Sequence, residues 1–284
     1  MPRRSAPSVR HRRLAARLRE LREAAGLTQE EVSERTGKDR STLYRLESAQ
    51  QRPQRSTLIQ LLDLYGTNET HRHEMMELLK DAGQRGWMRP YLSELPETYS
   101  DYIGFEDEAR SICNYQSLFI PGLLQTEAYA RAQLRGTWPS ASDEDIELRV
   151  AARMERQPVL VKDDAPKFWA IIDEAALHRL VGGRDVMSDQ IARLLETHSH
   201  PDITIQMIPY RAGAHPGMDG SFVILDFPNV DDPSIVYIES AAGGLFLEEA
   251  MAIRRYILMF EHLRAAALGL DATADLLRTI AAEI

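Results

Sequence analysis

The stretch GLTQEEVSERTGKDRSTLYRLE, residues 26–47, decides the fold of the first quarter of the chain. Gly26 is placed to end a preceding helix, because a glycine commonly follows the last helical residue in a left-handed conformation. Thr28 and Glu31 have the spacing of a capping box, which opens a second helix. Gly37 closes that helix after about two turns. The pattern therefore predicts short helices joined by glycine-containing turns.

The third helix of this region has one apolar and one polar face. Asp39 is its predicted cap, it runs over residues 40–48, and Leu43 and Leu46 form its buried face. The side chains left facing outward are Arg40, Ser41, Thr42, Tyr44 and Arg45. Arginine can donate two hydrogen bonds to guanine, and serine or threonine can bond several base edges. A helix, a turn and a second polar helix predict a helix-turn-helix, whose second helix enters the DNA major groove.

Residues on either side extend this predicted surface. Gln29 begins the second helix, where backbone N–H groups and its amide can meet a phosphate. Arg52, in the turn after the third helix, is assigned to the same surface. Residues 1–13 are predicted to form a basic arm that follows phosphates or enters the minor groove, the alternative being a solvated disordered tail. The arginines of this arm are Arg3, Arg4, Arg10, Arg12 and Arg13.

Helical periodicity brackets this motif on both sides. Leu14, Leu18 and Leu21 recur at helical spacing before it, and helices opening near Ser56 and spanning residues 70–82 follow it. We therefore predict an all-α, five-helix DNA-binding domain over residues 14–82.

Charge is distributed unevenly along the chain. The net charge is −9, but residues 1–55 hold 14 Lys/Arg and 7 Asp/Glu, while the remainder holds 20 and 36. The first part is thus +7 and the rest is −16. A basic end suits a polyanion and an acidic body repels one. The asymmetry agrees with DNA binding by the first quarter.

The stretch LRELREAAGLTQEEVSERTGKDRSTLYRLESAQQRP, residues 18–53, closely resembles the XRE family of helix-turn-helix regulators, which includes phage repressors. The resemblance implies a five-helix domain with Gln29 and the outward residues of the third helix against DNA. It also implies that Arg22 pairs with Glu47 and braces the first helix against the recognition helix. Ala49 departs from the family pattern, which usually has glycine there, and this leaves the shape of the following turn open.

Residues 83–284 are predicted to form an α+β domain with a mixed sheet, because helical and strand patterns alternate irregularly. Residues 83–102 lack a clear period but contain Trp87, Tyr91 and Leu95, and are predicted to be a packed linker. The predicted strands are the end of 105–115 and residues 167–173, 203–208, 221–227 and 235–239. The predicted helices cover residues 121–134, 142–157, 174–180, 186–198, 246–268 and 272–282.

No catalytic or metal-binding motif is evident in the body. Two histidine pairs have i, i+2 spacing, which diverges on a helix, and they lack further ligands at zinc spacing. These pairs are His71 with His73 and His198 with His200. Asp173 and Glu174 follow a strand and suit the first turn of a helix. We therefore predict no catalytic residue, no metal and no cofactor.

One loop could carry a function. RAGAHPGMDGSF, residues 211–222, joins two predicted strands and could rim a pocket. His215 and Asp219 are its candidate contacts for a ligand or a partner.

Bulk features narrow the class of protein. The single cysteine, Cys113, excludes an internal disulfide and fits a buried hydrophobe in a reducing compartment. No apolar run approaches the roughly 18 residues of a membrane span, and the basic N-terminus lacks the apolar core of a secretory signal. We therefore predict a cytoplasmic protein without membrane contact, associated with the nucleoid when it is bound to DNA.

YQSLFIPGLLQTEAYARA, residues 115–132, resembles the domain that follows an XRE module in many actinobacterial regulators of the WhiJ type. Further matching blocks are residues 156–157, 171–183, 205–227 and 236–240. The resemblance implies an antitoxin-like transcriptional regulator whose DNA binding is changed by a small partner protein encoded nearby. It supplies no catalytic residues.

Two functions remain open from the sequence. In the first, residues 14–82 read an operator in double-stranded DNA, and residues 83–284 hold a homodimer together and bind a small partner protein or ligand. A module of this size touches few base pairs, so useful specificity favours a dimer on paired half-sites. In the alternative, the body is a DNA-targeted enzyme that acts on a small metabolite through His215 or Asp173.

Overall fold

The structure, a computed structural model, describes residues 9–81, 91, 95–228, 232–241 and 243–284. The chain forms two compact units, Met1–Arg89 and Pro90–Ile284. The described part of the first unit is helical, and the second unit combines helices with one six-stranded mixed sheet. The predicted fold class, an all-α helix-turn-helix region followed by an α+β domain, is confirmed.

Five helices make up the described part of the N-terminal unit. They are α1 (Val9–Ala24), α2 (Gln29–Thr36), α3 (Arg40–Glu47), α4 (Arg55–Leu64) and α5 (Glu69–Asp81). The predicted capping box opens α2, since Thr28 Oγ1 accepts from the Glu31 N–H and the Glu31 carboxylate accepts from the Thr28 N–H. Gly37 ends α2 with a left-handed φ of 69°, a conformation that costs glycine little.

A leucine-rich core holds these helices together. Leu14 and Leu18 of α1, Leu43 and Leu46 of α3 and Met75 of α5 are all at most 1% exposed. Each such side chain contributes about 1.5–3 kcal/mol when fully buried. The core is therefore the reason that the opposite face of α3 points outward.

The predicted basic arm of residues 1–13 is wrong in its last part, because α1 begins at Val9. Arginine favours helix, and Arg13 Nη2 lies 3.2 Å from Glu74 Oε1 on α5. This pairing with α5 stabilises helical structure in α1 before Leu14, the residue at which the apolar periodicity begins. Residues 1–8, which carry the first two arginines of the arm, lie outside the described residues.

The turn after α3 keeps a glycine-like shape without a glycine. Ala49 has a φ of 55° and is the one non-glycine residue with a positive φ in the described part of the chain. The N–H groups of Gln50 and Gln51 both donate to the Arg45 carbonyl, at 2.8 and 3.0 Å. These bonds close the C-terminus of α3, so the turn tolerates the left-handed alanine.

We expect Ala49→Gly to change the free energy of unfolding of the N-terminal unit by less than about 1 kcal/mol. Release of a left-handed strain of roughly 1–2 kcal/mol is offset by the lost burial of a methyl group and the greater freedom of the unfolded chain. Ala49→Val keeps the positive φ and adds a branched side chain, so it should destabilise by more than about 2 kcal/mol. Urea denaturation followed by circular dichroism measures the free energy of unfolding of both variants. Equal values for the two would contradict backbone strain at position 49.

The C-terminal unit contains six strands and seven helices in its described part. The strands are β1 (Ser111–Gln116), β2 (Lys167–Asp173), β3 (Ile203–Ile208), β4 (Phe222–Asp226), β5 (Ile235–Ser240) and β6 (Gly243–Leu247). The helices are α6 (Glu97–Glu108), α7 (Glu127–Thr137), α8 (Asp143–Arg156), α9 (Ala175–His178), α10 (Arg184–Thr197), α11 (Ala250–Ala266) and α12 (Leu270–Glu283).

The sheet has a parallel half and an antiparallel half. Its strand order is β3-β2-β1-β4-β5-β6, with β1, β2 and β3 parallel and the other pairs antiparallel. Parallel neighbours need crossover connections. Helices α7 and α8 connect β1 to β2, and helices α9 and α10 connect β2 to β3. The direction reverses at β1, where Tyr115 is paired with Ile171 on one side and Phe222 on the other.

Helices cover both faces of this sheet. α11 packs on the face that carries Tyr115, Ile171 and Phe222. α6 packs on the opposite face, where the Phe105 and Phe246 rings meet edge to face with their centroids 5.2 Å apart. The sheet is thus the central layer of the unit.

Strand β6 and helix α6 differ from the sequence prediction. Residues 246–268 were predicted to be helical throughout, but Phe246 pairs with Tyr237 in the sheet. An isolated apolar run does not reveal that partner. α6 occupies the end of the predicted linker 83–102, because its aromatic side chains pack on the sheet and hide its helical period.

Two helix starts also differ. The helix predicted over residues 121–134 begins instead at Glu127, where the Thr126 side chain caps it, and residues Gly122–Leu124 form a 3₁₀ turn. α12 starts at Leu270, two residues before the helix predicted over residues 272–282. Tyr91 and Leu95 are buried as predicted, whereas Trp87 lies outside the described residues.

A buried ion pair joins α6 to α8. Arg156 Nε lies 3.5 Å from Glu106 Oε2, and the two side chains are 6% and 1% exposed. The Tyr102 hydroxyl donates to Glu106 Oε1 at 2.7 Å, and Arg156 Nη1 donates to the Tyr99 hydroxyl at 3.0 Å. Burial raises the pKa of Glu106, while Arg156 opposes that rise. A Cβ on Gly122 would lie 2.3 Å from Arg156 Nη2, so a larger residue there would displace the Arg156 guanidinium.

We expect Glu106→Gln to destabilise the C-terminal unit by about 3–5 kcal/mol, because it leaves the Arg156 charge buried without a partner. Asp107→Asn is the matched control. Asp107 is 59% exposed and pairs with Lys162 at 3.1 Å, so its loss should cost less than about 1 kcal/mol. Thermal and urea unfolding of both variants provide the comparison, and a Glu106→Gln protein as stable as the control would refute a tightly coupled pair.

Candidate nucleic acid interface

The outward face of α3 is polar and accessible. Arg40, Ser41 and Tyr44 are exposed, whereas Thr42 and Arg45 are half-buried. The Tyr44 side chain is 55% exposed, although most large apolar side chains of this unit are buried. An aromatic ring left in water on a polar helix suits contact with a thymine methyl or a sugar.

The two arginines of α3 are held differently. Arg40 Nη1 lies 3.7 Å from Glu30 Oε2, and both side chains are about 70% exposed, so this pair contributes little and leaves Arg40 available. Arg45 Nη2 donates to Thr42 Oγ1 at 3.1 Å. Arg45 Nε is enclosed and has no hydrogen-bond partner among the described residues. Arg45 is therefore oriented along the helix with donors still to be satisfied.

The Glu47 carboxylate connects three helices beneath this face. Arg22 of α1 donates to it twice, from Nε at 2.7 Å and from Nη2 at 3.1 Å. Gln29 Nε2 of α2 donates to Glu47 Oε2 at 2.8 Å, and Arg22 Nη1 donates to the Leu27 carbonyl at 2.7 Å. The hydrogen bond to Glu47 raises the pKa of the Arg22 guanidinium, although partial burial acts against it. This network fixes the orientation of α3.

Two residues assigned to the DNA-facing surface have partners inside the unit. The Gln29 amide nitrogen is used by Glu47, and the first turn of α2 carries Glu30 and Glu31, whose charges disfavour a phosphate there. Arg52 Nη2 donates to the Leu79 carbonyl near the end of α5. The structure therefore directs both side chains toward protein groups rather than leaving them open.

The starts of α3 and α4 offer groups that the sequence did not single out. Asp39 and Gln54 occupy the N-cap positions, and neither side chain makes a capping hydrogen bond. Uncapped N–H groups at a helix start attract anions. Arg55, the first residue of α4, is exposed and adds a positive charge. The sequence signal for it is Arg55 directly after Gln54, because glutamine is not among the residues preferred as helix N-caps.

The loop that follows β3 is anchored over the carboxyl end of the parallel strands. His215 Nε2 lies 3.2 Å from Asp173 Oδ2, with the two side chains 7% and 16% exposed. The Tyr210 N–H donates to the Glu174 carboxylate at 2.7 Å. Asp219, the other candidate, is exposed at the end of a 3₁₀ turn. The structure thus places His215 in a buried pair and Asp219 at the surface.

Two other candidate chemistries can be compared with the structure. No group of three or more His, Cys, Asp or Glu side chains within the described ranges could hold a metal ion. Cys113 is mostly buried, and burial raises the pKa of its thiol to about 12. The thiol therefore stays protonated near neutral pH and is a poor nucleophile.

Residues 99–279, nearly two-thirds of the chain, match the family described as Domain of unknown function (DUF5753). The chain belongs to this DUF5753 family. Residues 13–75 match the family described as Helix-turn-helix domain. No curated protein and no solved structure matches the chain.

The helix-turn-helix match covers α2 and α3 and their supporting helices. It indicates DNA binding and transcription regulation, and a regulator rather than an enzyme. Within the described residues, none of the helices has the length and apolar character required to cross a membrane.

We expect Glu47→Gln to destabilise the N-terminal unit by roughly 1.5–3 kcal/mol, because it weakens charged hydrogen bonds in a part-buried site. Glu20→Gln is the control, since Glu20 is 60% exposed and pairs with Arg17 on the same helix, an interaction worth less than about 0.5 kcal/mol. Equilibrium unfolding in urea measures the difference. Equal stability of the two variants would show that the Glu47 network does not support the fold.

Proposed function

We propose that this DUF5753 protein is a sequence-specific DNA-binding transcriptional regulator in which α3 reads an operator in the major groove. The observation that carries the proposal is the outward polar face of α3, with exposed Arg40 and Tyr44 above a core that buries Leu43 and Leu46. The Arg22–Glu47 network supports this role, because base readout needs a rigid helix. Arg45, Ser41 and Thr42 complete the proposed set of base contacts.

Phosphate contacts are proposed to fix the position of α3 on the duplex. The uncapped start of α4 and the exposed Arg55 offer N–H groups and positive charge to the DNA backbone. Gln29 and Arg52 join them only if their side chains leave Glu47 and the Leu79 carbonyl on binding. Such contacts carry affinity, whereas the side chains of α3 carry specificity.

The C-terminal unit is proposed to regulate this binding. Its acidic composition disfavours DNA, which leaves its surface for a second copy of the chain and for a small partner protein or ligand. On the resemblance to WhiJ-type XRE regulators, we propose an antitoxin-like arrangement in which a small protein encoded nearby alters operator binding. Co-purification of the two proteins, followed by titration against operator DNA, tests whether partner and operator exclude each other.

We expect Arg40→Ala and Arg45→Ala each to weaken operator binding by about 1–3 kcal/mol and to relax base preference at one position. Arg278→Ala in α12 is the control, because Arg278 is 64% exposed and pairs with Asp275, three residues away on the same helix, at 2.7 Å. Fluorescence anisotropy on operator and random duplexes at several salt concentrations gives both quantities.

The salt dependence separates the two kinds of contact. A variant that weakens binding equally on all sequences, with a slope lowered by about 0.9, has lost a phosphate contact and not a base contact. Wild-type protein that shows no preference for its own promoter over random duplex would refute the proposed function.

A further inference from the structure

The two edge strands of the sheet, β3 and β6, differ in the hydrogen bonds at their outer edges. The outer edge of β3 is covered by its own chain, since the Leu268 N–H donates to the Met207 carbonyl at 2.8 Å and the Met207 N–H donates to Thr273 Oγ1 at 3.3 Å. Within the described ranges, the outer edge of β6 has no such cover. The ladder bonds of Gly243–Leu247 join it to β5, and no other described residue makes a backbone bond to it. Open apolar edges are sites of pairing with another chain.

Exposed apolar side chains lie on β6 and on α11, the helix that follows it in the chain. Leu245 of β6 is 55% exposed, and Met251 and Leu258 of α11 are 78% and 51% exposed. Met251, Arg255 and Leu258 have i, i+4, i+7 spacing and form one stripe along α11. The opposite side of α11 is buried against the sheet through Ile253 and its neighbours. The stripe is therefore the outward face of a well-anchored helix.

The order of charges about Met251 is self-complementary. Glu249 precedes Met251 and Arg255 follows it, and both are exposed. When two such segments run antiparallel about a two-fold axis at Ala252, midway between Glu249 and Arg255, the acidic position of each meets the basic position of the other. Leu258 of one copy then lies beside β6 of the second, where Leu245 is exposed. An interface between identical chains must have this property, because the same patch faces itself.

We infer that β6 and the first half of α11 form the surface through which two copies of this chain associate about a two-fold axis. The inference rests on the proposed function, since paired half-sites need a dimer. It gives the dimer a specific surface, defined by Leu245, Glu249, Met251, Arg255 and Leu258. Residues 56–284 of each copy carry a net charge of −16, so the bodies repel in general. The segment 243–258 is locally neutral, because Glu248 and Glu249 are balanced by Arg254 and Arg255, so the two copies can meet there without net repulsion.

The oligomeric state of the full chain without DNA tests this inference. Sedimentation equilibrium from about 1 to 50 µM, the range in which weak dimers dissociate, should show a dimer for the wild type. Met251→Glu and Leu258→Glu should each shift it to monomer. Val161→Glu is the control, because Val161 is 69% exposed elsewhere in the unit, and it should remain dimeric. Circular dichroism verifies that all three variants are folded.

A charge exchange tests the antiparallel arrangement. Glu249→Arg and Arg255→Glu should each weaken dimerisation by about tenfold, because two attractive pairs become repulsive. The double variant should return to within about threefold of wild type. A general loss of solubility or fold would not be restored in this way. Failure of the double variant to recover overturns the proposed surface.

The remaining outcomes are equally decisive. A wild-type chain that is monomeric at 50 µM, or that binds only a different protein through this surface, overturns the inference. If operator binding fails while the dimer behaves as expected, the proposed function fails and the surface stands. If Arg40→Ala weakens operator binding while Met251→Glu stays dimeric, the surface fails and the proposed function stands.

Discussion

The Glu47 carboxylate is the interaction on which the N-terminal unit depends. It lies at the end of α3 and receives two hydrogen bonds from Arg22 and one from Gln29. Its side chain is only 7% exposed, so these charged bonds operate with limited solvent screening. The leucine core fixes which face of α3 is buried, and Glu47 fixes the angle at which the other face is presented. A helix of eight residues is marginal alone, and it gains its precision as a reading element from these two constraints.

The C-terminal unit depends on the reversal of strand direction at β1. On one side of β1, parallel pairing requires helical crossovers and buries the strands on both faces. On the other side, β4, β5 and β6 follow as a meander that ends at an open edge. The loop between β3 and β4 must cross the ends of two parallel strands, and the His215–Asp173 pair holds it there. The same reversal thus explains why one end of the sheet collects polar side chains.

Local signals in the sequence predicted the parts of the fold that are locally determined. The capping box at Thr28 and the glycine after α2 specify helix boundaries with few neighbours involved, and α2 agrees with them. β6 could not be found in this way, because its strand conformation comes from pairing with β5. In the candidate interface, the polar face of α3 was predictable from period alone. The directions of Gln29 and Arg52 were not, because each is set by a partner distant in sequence.

The proposed division of roles, with DNA recognition by α3 and regulation by the C-terminal unit, is consistent with the energetics of binding two half-sites. A single module of this size gains few base contacts, and linking two modules can raise the overall affinity by roughly 10²–10⁴ without any new contact. In the proposed dimer, most of that gain would come from contacts between the C-terminal units and not from α3. A protein or ligand that separated these units would then lower operator occupancy by a large factor while leaving base recognition unchanged. The surface proposed on β6 and α11 suits this task, because it could be altered without disturbing the Glu47 network that orients α3.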